Sequence, residues 1–364
     1  MTSLYIDGVS APDEIKEALH QLSKNFNFVK EDSKAANGYV FFGKNRVTNV
    51  DVVVKFYFWG GKTAYHAEPN QLAAINSPNV LSIFDAALID DTWAYFITPR
   101  CAKGDLDDVL EHTSIGNLAA IDYTYQVLSG LSHLHAKRFL HRDLKPANVY
   151  VNSEHKAIIG DFGSVKKLPD GHATIPASSH TILYRPPETI LTSAYGITGD
   201  VYQAGIILYQ LLGGYLPYDP IAYLSRVGLN RLKTLCTPAD ESIYIDQCIK
   251  TLICSGKLLN YGTMPPWVSE AMKKIIKKAT HVDHSMRFQT ASSFMAKLHS
   301  IRPKILDWKV VDGYPQLSGA LSFRIIGDAG AAQVQKKRGE FWRNDNTFGI
   351  KSLSEHVAAI SAAI

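Results

Sequence analysis

The segment His141-Arg142-Asp143-Leu144-Lys145-Pro146-Ala147-Asn148 sets a carboxylate, an amine and a carboxamide close together. Asp161-Phe162-Gly163 begins eighteen residues beyond Asp143. A carboxylate and a carboxamide five apart can share one loop, and a second carboxylate on a following turn can face them. Phosphoryl transfer from Mg-ATP needs such a set: one acceptor to orient the attacking hydroxyl, and two oxygen ligands for hard cations. The expectation is therefore that Asp143 receives the hydroxyl proton while Asn148 and Asp161 hold Mg²⁺, with Mn²⁺ as a possible substitute.

Together these motifs resemble the eukaryotic-type (Hanks-type) serine/threonine protein kinases, over roughly Phe26 to Ile301. The stretch Pro266–Leu298 looks most like bacterial members. The resemblance implies an α+β, two-lobed kinase fold, with an antiparallel N-lobe sheet plus one helix and a helical C-lobe. It also implies site residues. Lys145 would steady the γ-phosphate. Lys55, in Val52-Val53-Val54-Lys55, would hold the α- and β-phosphates, fixed by Glu68 thirteen residues on. Pro69 directly after Glu68 is compatible with a helix only if Glu68 sits at its very start, where proline has no hydrogen bond to lose.

The glycine-rich loop departs from the family. Its pattern falls on Ser33-Lys34-Ala35-Ala36-Asn37-Gly38-Tyr39-Val40, where Gly38 alone survives, seventeen residues before Lys55. Glycines there let backbone N–H groups approach phosphates, so weakened ATP binding is expected. Adenine would lie between Val40 and Val53 above and Tyr150 below, past a Thr98 gatekeeper. It would meet the Pro99 carbonyl and the Cys101 N–H. Val53 and Tyr150 are bulky for those places, which predicts a tight slot.

The activation segment runs from Asp161 to Glu188, with Phe162 and Gly163 completing its opening motif. The resemblance gives Glu188 a candidate buried partner in Arg287, since a deep charge persists only when paired. Asp200 would cap backbone N–H groups near the catalytic loop. Lys145 and Thr181 fit serine/threonine rather than tyrosine kinases. Arg142, beside Asp143, calls for an anion, and a phosphate on Thr174, Ser178 or Ser179 would supply one.

Elements must position these groups. Pro12–Asn25 reads as an amphipathic helix. Tyr39–Phe42 and Val50–Phe58 read as strands, with a helical stretch around Leu72 and Ile75. Leu118, Ile121, Leu128, Leu131 and Leu134 share one helix face, and Asp200–Leu212 is a helix apolar nearly all round. Ser269–Ala279 and Thr290–Ile301 are further helices. From about Asp307 short strands return (308–311, 321–326 and 332–335), followed by a helix over Ser352–Ala363 capped by Ser352 or Ser354. The expected units are residues 1–98 (N-lobe), 99–303 (C-lobe) and 304–364 (a β/α module). The module's core would use Trp308, Val310, Phe323, Ile325, Val334, Val357 and Ile360. It is expected to dock a substrate or partner.

The 364 residues are 20% charged and 46% hydrophobic, an ordinary globular mix. The apolar run Ala204–Leu216 is too short to cross a membrane and contains Gln210. The N-terminus lacks the layout of a signal peptide. Cys101, Cys236, Cys248 and Cys254 have neither disulfide-framework nor zinc spacing, which predicts a cytoplasmic protein. Net charge is +4, with +3 of it after residue 300. Lys336-Lys337-Arg338 and Phe341-Trp342-Arg343 could stack on single-stranded nucleic acid, but so modest a charge argues against it, leaving protein substrates as the expected partners. The rival readings are a pseudokinase scaffold, favoured by the eroded loop, and a small-molecule kinase, disfavoured by Glu188/Arg287 and the Thr181–Glu188 docking loop.

Overall fold

A computed structural model describes residues 3–32, 38–177, 181–328 and 330–364. The N-terminal lobe opens with helix α1 (Asp13–Leu22), shorter than the sequence reading because residues 23–25 form a turn. Strands β1 (Phe26–Glu31), β2 (Tyr39–Asn45) and β3 (Asp51–Phe58) follow. Next come helix α2 (Ala67–Ala73) and strands β4 (Asp85–Leu88) and β5 (Trp93–Pro99). The sheet is antiparallel, in the order β1-β2-β3-β5-β4.

Strand alternation separates two jobs on β3. Val52, Val54 and Phe56 pack with Ile15 and Leu19 of α1. Fully burying such side chains is worth about 1.5–3 kcal/mol each, so α1 is firmly seated on the sheet's outer face. Val53, Lys55 and Tyr57 point the other way, toward α2 and the cleft. Gly38, at the head of β2, has φ +110°, and a Cβ there would lie 2.1 Å from the Phe56 carbonyl oxygen. The surviving glycine of the eroded loop is thus required by strand packing alone.

The second lobe is built on α3 (Leu106–His112) and α4 (Asn117–Ala136). Short strands β6 (Phe139–Leu140), β7 (Val149–Val151), β8 (Ala157–Ile159), β9 (Lys166–Lys167) and β10 (Ile175–Pro176) carry the loops of the site. Helix α5 (Pro187–Leu191), strand β11 (Ala194–Tyr195) and helices α6 (Ile197–Leu211), α7 (Arg226–Leu232), α8 (Pro238–Cys254), α9 (Glu270–Ala279) and α10 (Ala291–Ile301) complete it. Helix α6 is buried on all sides, as its all-apolar pattern predicts. On α4, Ile121, Leu128, Leu131 and Leu134 are buried, and Leu118 is half-buried where the third unit meets the helix.

That unit is an antiparallel sheet in the order β12 (Asp307–Val311), β13 (Tyr314–Ser318), β14 (Phe323–Asp328), β15 (Ala331–Arg338), β16 (Phe341–Asn344), with β17 (Ile350–Lys351) also on β15. Helix α11 (Leu353–Ala362) covers one face. Ser352 caps it, with Glu355 returning the bond to form a capping box. The core holds Trp308, Phe323, Ile325, Val334, Val357 and Ile360, joined by Leu317 and Ala332. Val310 does not belong to it. At 38% exposure it sits at the sheet edge beside the hairpin turn, beyond the cover of α11.

The module is fastened to the helical lobe. Trp308 stacks on Trp267 with ring centroids 6.1 Å apart. Arg302 clasps Asp122 through two bonds of 2.7 and 2.8 Å. Gly116, the residue that should cap α4, has no side chain, and Asp307 supplies the missing acceptor by receiving the Leu118 N–H at 3.0 Å. No helix among the described residues is long and apolar enough to cross a membrane.

Candidate active site

The catalytic loop hangs from Asp200. This buried carboxylate accepts the backbone N–H groups of His141 (3.0 Å) and Arg142 (2.9 Å), the Tyr195 hydroxyl (2.7 Å) and His135 Nε2 (2.8 Å). Burial alone would raise its pKa, but His135, His141 and the Arg142 N–H outweigh it and hold the group below the usual carboxylate range. Gln203, one turn along α6, accepts the Leu144 N–H (2.9 Å) and donates to the Arg142 and Tyr184 carbonyls. The sequence reading missed Gln203. Its signal is an amide three residues after Asp200, on the same face of a helix that is mostly apolar.

Asp143 is buried, and its two oxygens are used unequally. Oδ2 accepts Lys145 Nζ at 2.9 Å and Asn148 Nδ2 at 3.2 Å. Among the described residues none bonds to Oδ1. Lys145 Nζ also donates to Thr181 Oγ1 at 3.1 Å, tying the catalytic loop to the segment before Glu188. Asn148 donates again to the Asp143 carbonyl at 2.7 Å. Both bonds use the amide nitrogen, and Oδ1 is left open by the described residues.

Asp161 takes the left-handed conformation, φ 52°, and no described residue bonds to its carboxylate. Phe162 is 1% exposed and packs edge-on against His141, ring centroids 5.7 Å apart. Above the cleft, Lys55 Nζ meets both oxygens of Glu68, at 3.0 and 2.7 Å. Glu68 is the second residue of α2, and Pro69 stands within the first turn, where its missing N–H costs nothing.

On the face expected to take the nucleotide, Val53 pairs with Thr98 across β3 and β5. Thr98 is buried. Cys101 is half-buried, and burial pushes its thiol up to about 11. Arg100 lies over the Phe42 ring at 4.7 Å. The Tyr150 ring lies against Gly160. A Cβ on Gly160 would stand 2.3 Å from Tyr150 Cε2. Burial, with Asp161, Glu68, Asp105 and Cys101 nearby, keeps the phenol protonated. Gly160→Ala should therefore drive the ring upward into the slot. Overpacking costs about 1–3 kcal/mol, so the ATP dissociation constant should rise about tenfold or more. Tyr150→Leu in the same background should restore it, and equal affinity in all three proteins would show that the ring is elsewhere. Ser33 and Ala35 lie outside the described residues.

Arg142 is buried. Its guanidinium donates to the Ser164 carbonyl (3.2 Å) and the Pro176 carbonyl (3.1 Å) of the activation segment, while Nε has no partner among the described residues. Burial lowers its pKa, against the pull of Tyr195 and Asp200. Thr174 is exposed; Ser178 and Ser179 lie outside the described residues. Arg287 meets Glu188 through two bonds of 2.8 and 2.7 Å. Gly163 follows Phe162 in a single tight turn.

Residues 34–298 match the model of the protein kinase domain. The chain is 29% identical over 254 residues to 3-phosphoinositide-dependent protein kinase B of Dictyostelium discoideum, covering 64% of this chain and 26% of that protein. It is 28% identical over 246 residues to serine/threonine-protein kinase GIN4 of Saccharomyces cerevisiae, covering 66% and 19%. It is also 28% identical over 197 residues to tyrosine-protein kinase receptor svh-2 of Caenorhabditis elegans, covering 50% and 18%. The chain therefore spans about a quarter or less of the length of these relatives. The kinase-domain match over most of the chain establishes that the chain belongs to the protein kinase family.

Proposed function

We propose that this kinase transfers the terminal phosphoryl group of ATP, with Mg²⁺, to serine and threonine hydroxyls of protein substrates. The observation that carries the reading is Lys145 bridging Asp143 and Thr181. That bridge links the proton acceptor to the loop on which a peptide would lie. Asp143 would receive the substrate hydroxyl at Oδ1, the oxygen its neighbours leave open. Lys145, already beside that carboxylate, would meet the transferring group from the same side. Lys55, held by Glu68, would grip the α- and β-phosphates.

The donor chemistry suits magnesium. The Asp161 carboxylate and Asn148 Oδ1 are hard oxygen ligands, both unengaged by described residues. Bound there, the ion supplies charge neutralisation. The four cysteines are free, which supports a reducing, cytoplasmic setting. The likeness of Pro266–Leu298 to bacterial kinases supports a bacterial member of the family.

The test is to incubate the purified protein with γ-labelled ATP, Mg²⁺ and either a generic basic peptide or cell extract, then identify the labelled residues. Label on serine or threonine, abolished by chelating the metal, is expected. Label confined to tyrosine would overturn the specificity, and no label would favour the pseudokinase. The third unit would dock protein substrates. A chain ended after Lys304 should then keep activity on the peptide but lose it on the extract substrate. It should also melt lower, since α4 loses its Asp307 cap and Trp267 its stacking partner. Loss of peptide activity in a folded truncation would place the unit in support of the site itself.

A further inference from the structure

Helix α2 carries Glu68 but has little means of holding itself in place. It is seven residues long, its N-cap residue His66 makes no side-chain capping bond, and Pro69 removes a donor from its first turn. Helices this short are not stable alone in water. Glu68 must still meet Lys55 within hydrogen-bond distance, so something outside the helix has to fix its start.

The neighbours of His66 supply the means. Tyr57 lies two residues beyond Lys55, on the same face of β3, and His66 lies two residues before Glu68. The Tyr57 hydroxyl and His66 Nδ1 share a hydrogen bond of 2.7 Å, with the rings edge-on at 5.8 Å. The Trp59 ring also packs against the imidazole, centroids 4.9 Å apart and planes tilted by 31°. Trp59 is itself fastened, its Nε1 donating to the Asp90 carbonyl at 2.9 Å and its backbone N–H to Thr92 at 2.9 Å. Phe96 touches both levels, lying 5.9 Å from the Tyr57 ring and 5.7 Å from Lys55 Nζ. Tyr57 and His66 thus form a second rung parallel to Lys55 and Glu68, joining the same strand to the same helix start.

We propose that His66, gripped by Tyr57 and Trp59, is the positioning residue that sets Glu68 against Lys55, in place of the helical turns that α2 lacks. The inference rests on the kinase reading above and adds residues that neither the catalytic motifs nor the sequence reading had singled out. Burial and the nearby Glu68 push the Tyr57 hydroxyl up to about 12, so it stays protonated and able to bond at any working pH. At its far end α2 is tied separately, by Gln71 Nε2 donating to the Val165 carbonyl at 3.1 Å and by buried Leu72. Losing the clamp should therefore let the Glu68 end swing while the helix stays attached.

The experiment is a double-mutant cycle on the full chain. His66→Ala and Tyr57→Phe are each made in the wild type and in Glu68→Gln, with Asp143→Asn as the inactive control. Peptide phosphorylation gives kcat, and direct Mg-ATP binding gives a dissociation constant that needs no turnover. An ångström of misplacement can cost about 10²-fold, so His66→Ala should lower kcat about 10- to 100-fold in the wild type and weaken Mg-ATP binding. In Glu68→Gln the same changes should cost almost nothing further, because the clamp acts only through Glu68. Equal losses in both backgrounds would make His66 a merely structural residue and overturn the proposal, as would wild-type rates and binding in His66→Ala beside an inactive Asp143→Asn. Wild-type protein no more active than Asp143→Asn would instead overturn the kinase reading, and the clamp with it.

Discussion

Asp143→Asn should lower phosphoryl transfer by about 10²- to 10⁴-fold, the usual contribution of a positioned general base, with the melting temperature almost unchanged. The unequal use of the two carboxylate oxygens makes the reason specific. Oδ2 receives two donors, Lys145 Nζ and Asn148 Nδ2. An amide placed there must turn its own oxygen toward those donors. Its NH₂ then occupies the position of Oδ1, presenting a donor where the substrate hydroxyl needs an acceptor. The shape is kept and the chemistry inverted. Lys55→Met and Asp161→Ala should be comparably inactive for other reasons, loss of phosphate anchoring and loss of a metal ligand. Single-turnover assays with a peptide, alongside thermal melts, check all three. Undiminished transfer by Asp143→Asn would remove this carboxylate from the chemistry.

The parts of the site legible in the sequence are those fixed by local chemistry. Asp143, Lys145 and Asn148 sit on one loop, so their spacing alone predicts that they meet. Lys55 and Glu68 meet across a gap of thirteen residues because β3 and α2 are joined by a short loop. The rest depends on packing between distant segments. Nothing local says that the Tyr150 ring will rest on Gly160, or that carbonyls of Ser164 and Pro176 will accept bonds from Arg142. A glycine carries no signal of the group that fills its space, and a carbonyl belongs to every residue.

The fold divides along similar lines. Period-two and helical patterns found β2, β3, α6, α9 and α10, where one face or the whole element is buried. They missed β13 and β16, whose strands mix polar and apolar residues because one face of the third unit's sheet is uncovered. Val310 was misplaced for a related reason. Strand alternation gives the face a residue points to, but not where the covering helix ends. The Asp307 cap on α4 joins residues 189 apart, beyond the reach of any capping pattern read along the chain.

The largest expected loss of stability lies at Arg287, whose side chain is 0% exposed. Its guanidinium donates to both Glu188 oxygens and to the carbonyls of His281 (2.7 Å), Thr198 (3.0 Å) and Val282 (3.2 Å), and it lies over the Tyr202 ring at 4.8 Å. Breaking one side of a buried ion pair costs about 3–5 kcal/mol, mostly because the remaining charge is stranded. At about 2–4 °C per kcal/mol for domains of roughly this size, Arg287→Met should lower the melting temperature by about 10 °C. The two partners should not be equivalent. Glu188→Gln leaves the arginine three carbonyl acceptors and its aromatic neighbour. Arg287→Met strands a largely buried carboxylate and those three carbonyls together. Glu188→Gln should therefore be the milder change, and Glu188→Gln/Arg287→Met should lose less than the two singles combined. Thermal melts of the three proteins measure the order directly. Equal losses for the singles, or strict additivity in the double, would mean that the arginine's bonds to the backbone, rather than its pairing with Glu188, hold the activation segment to the helical lobe.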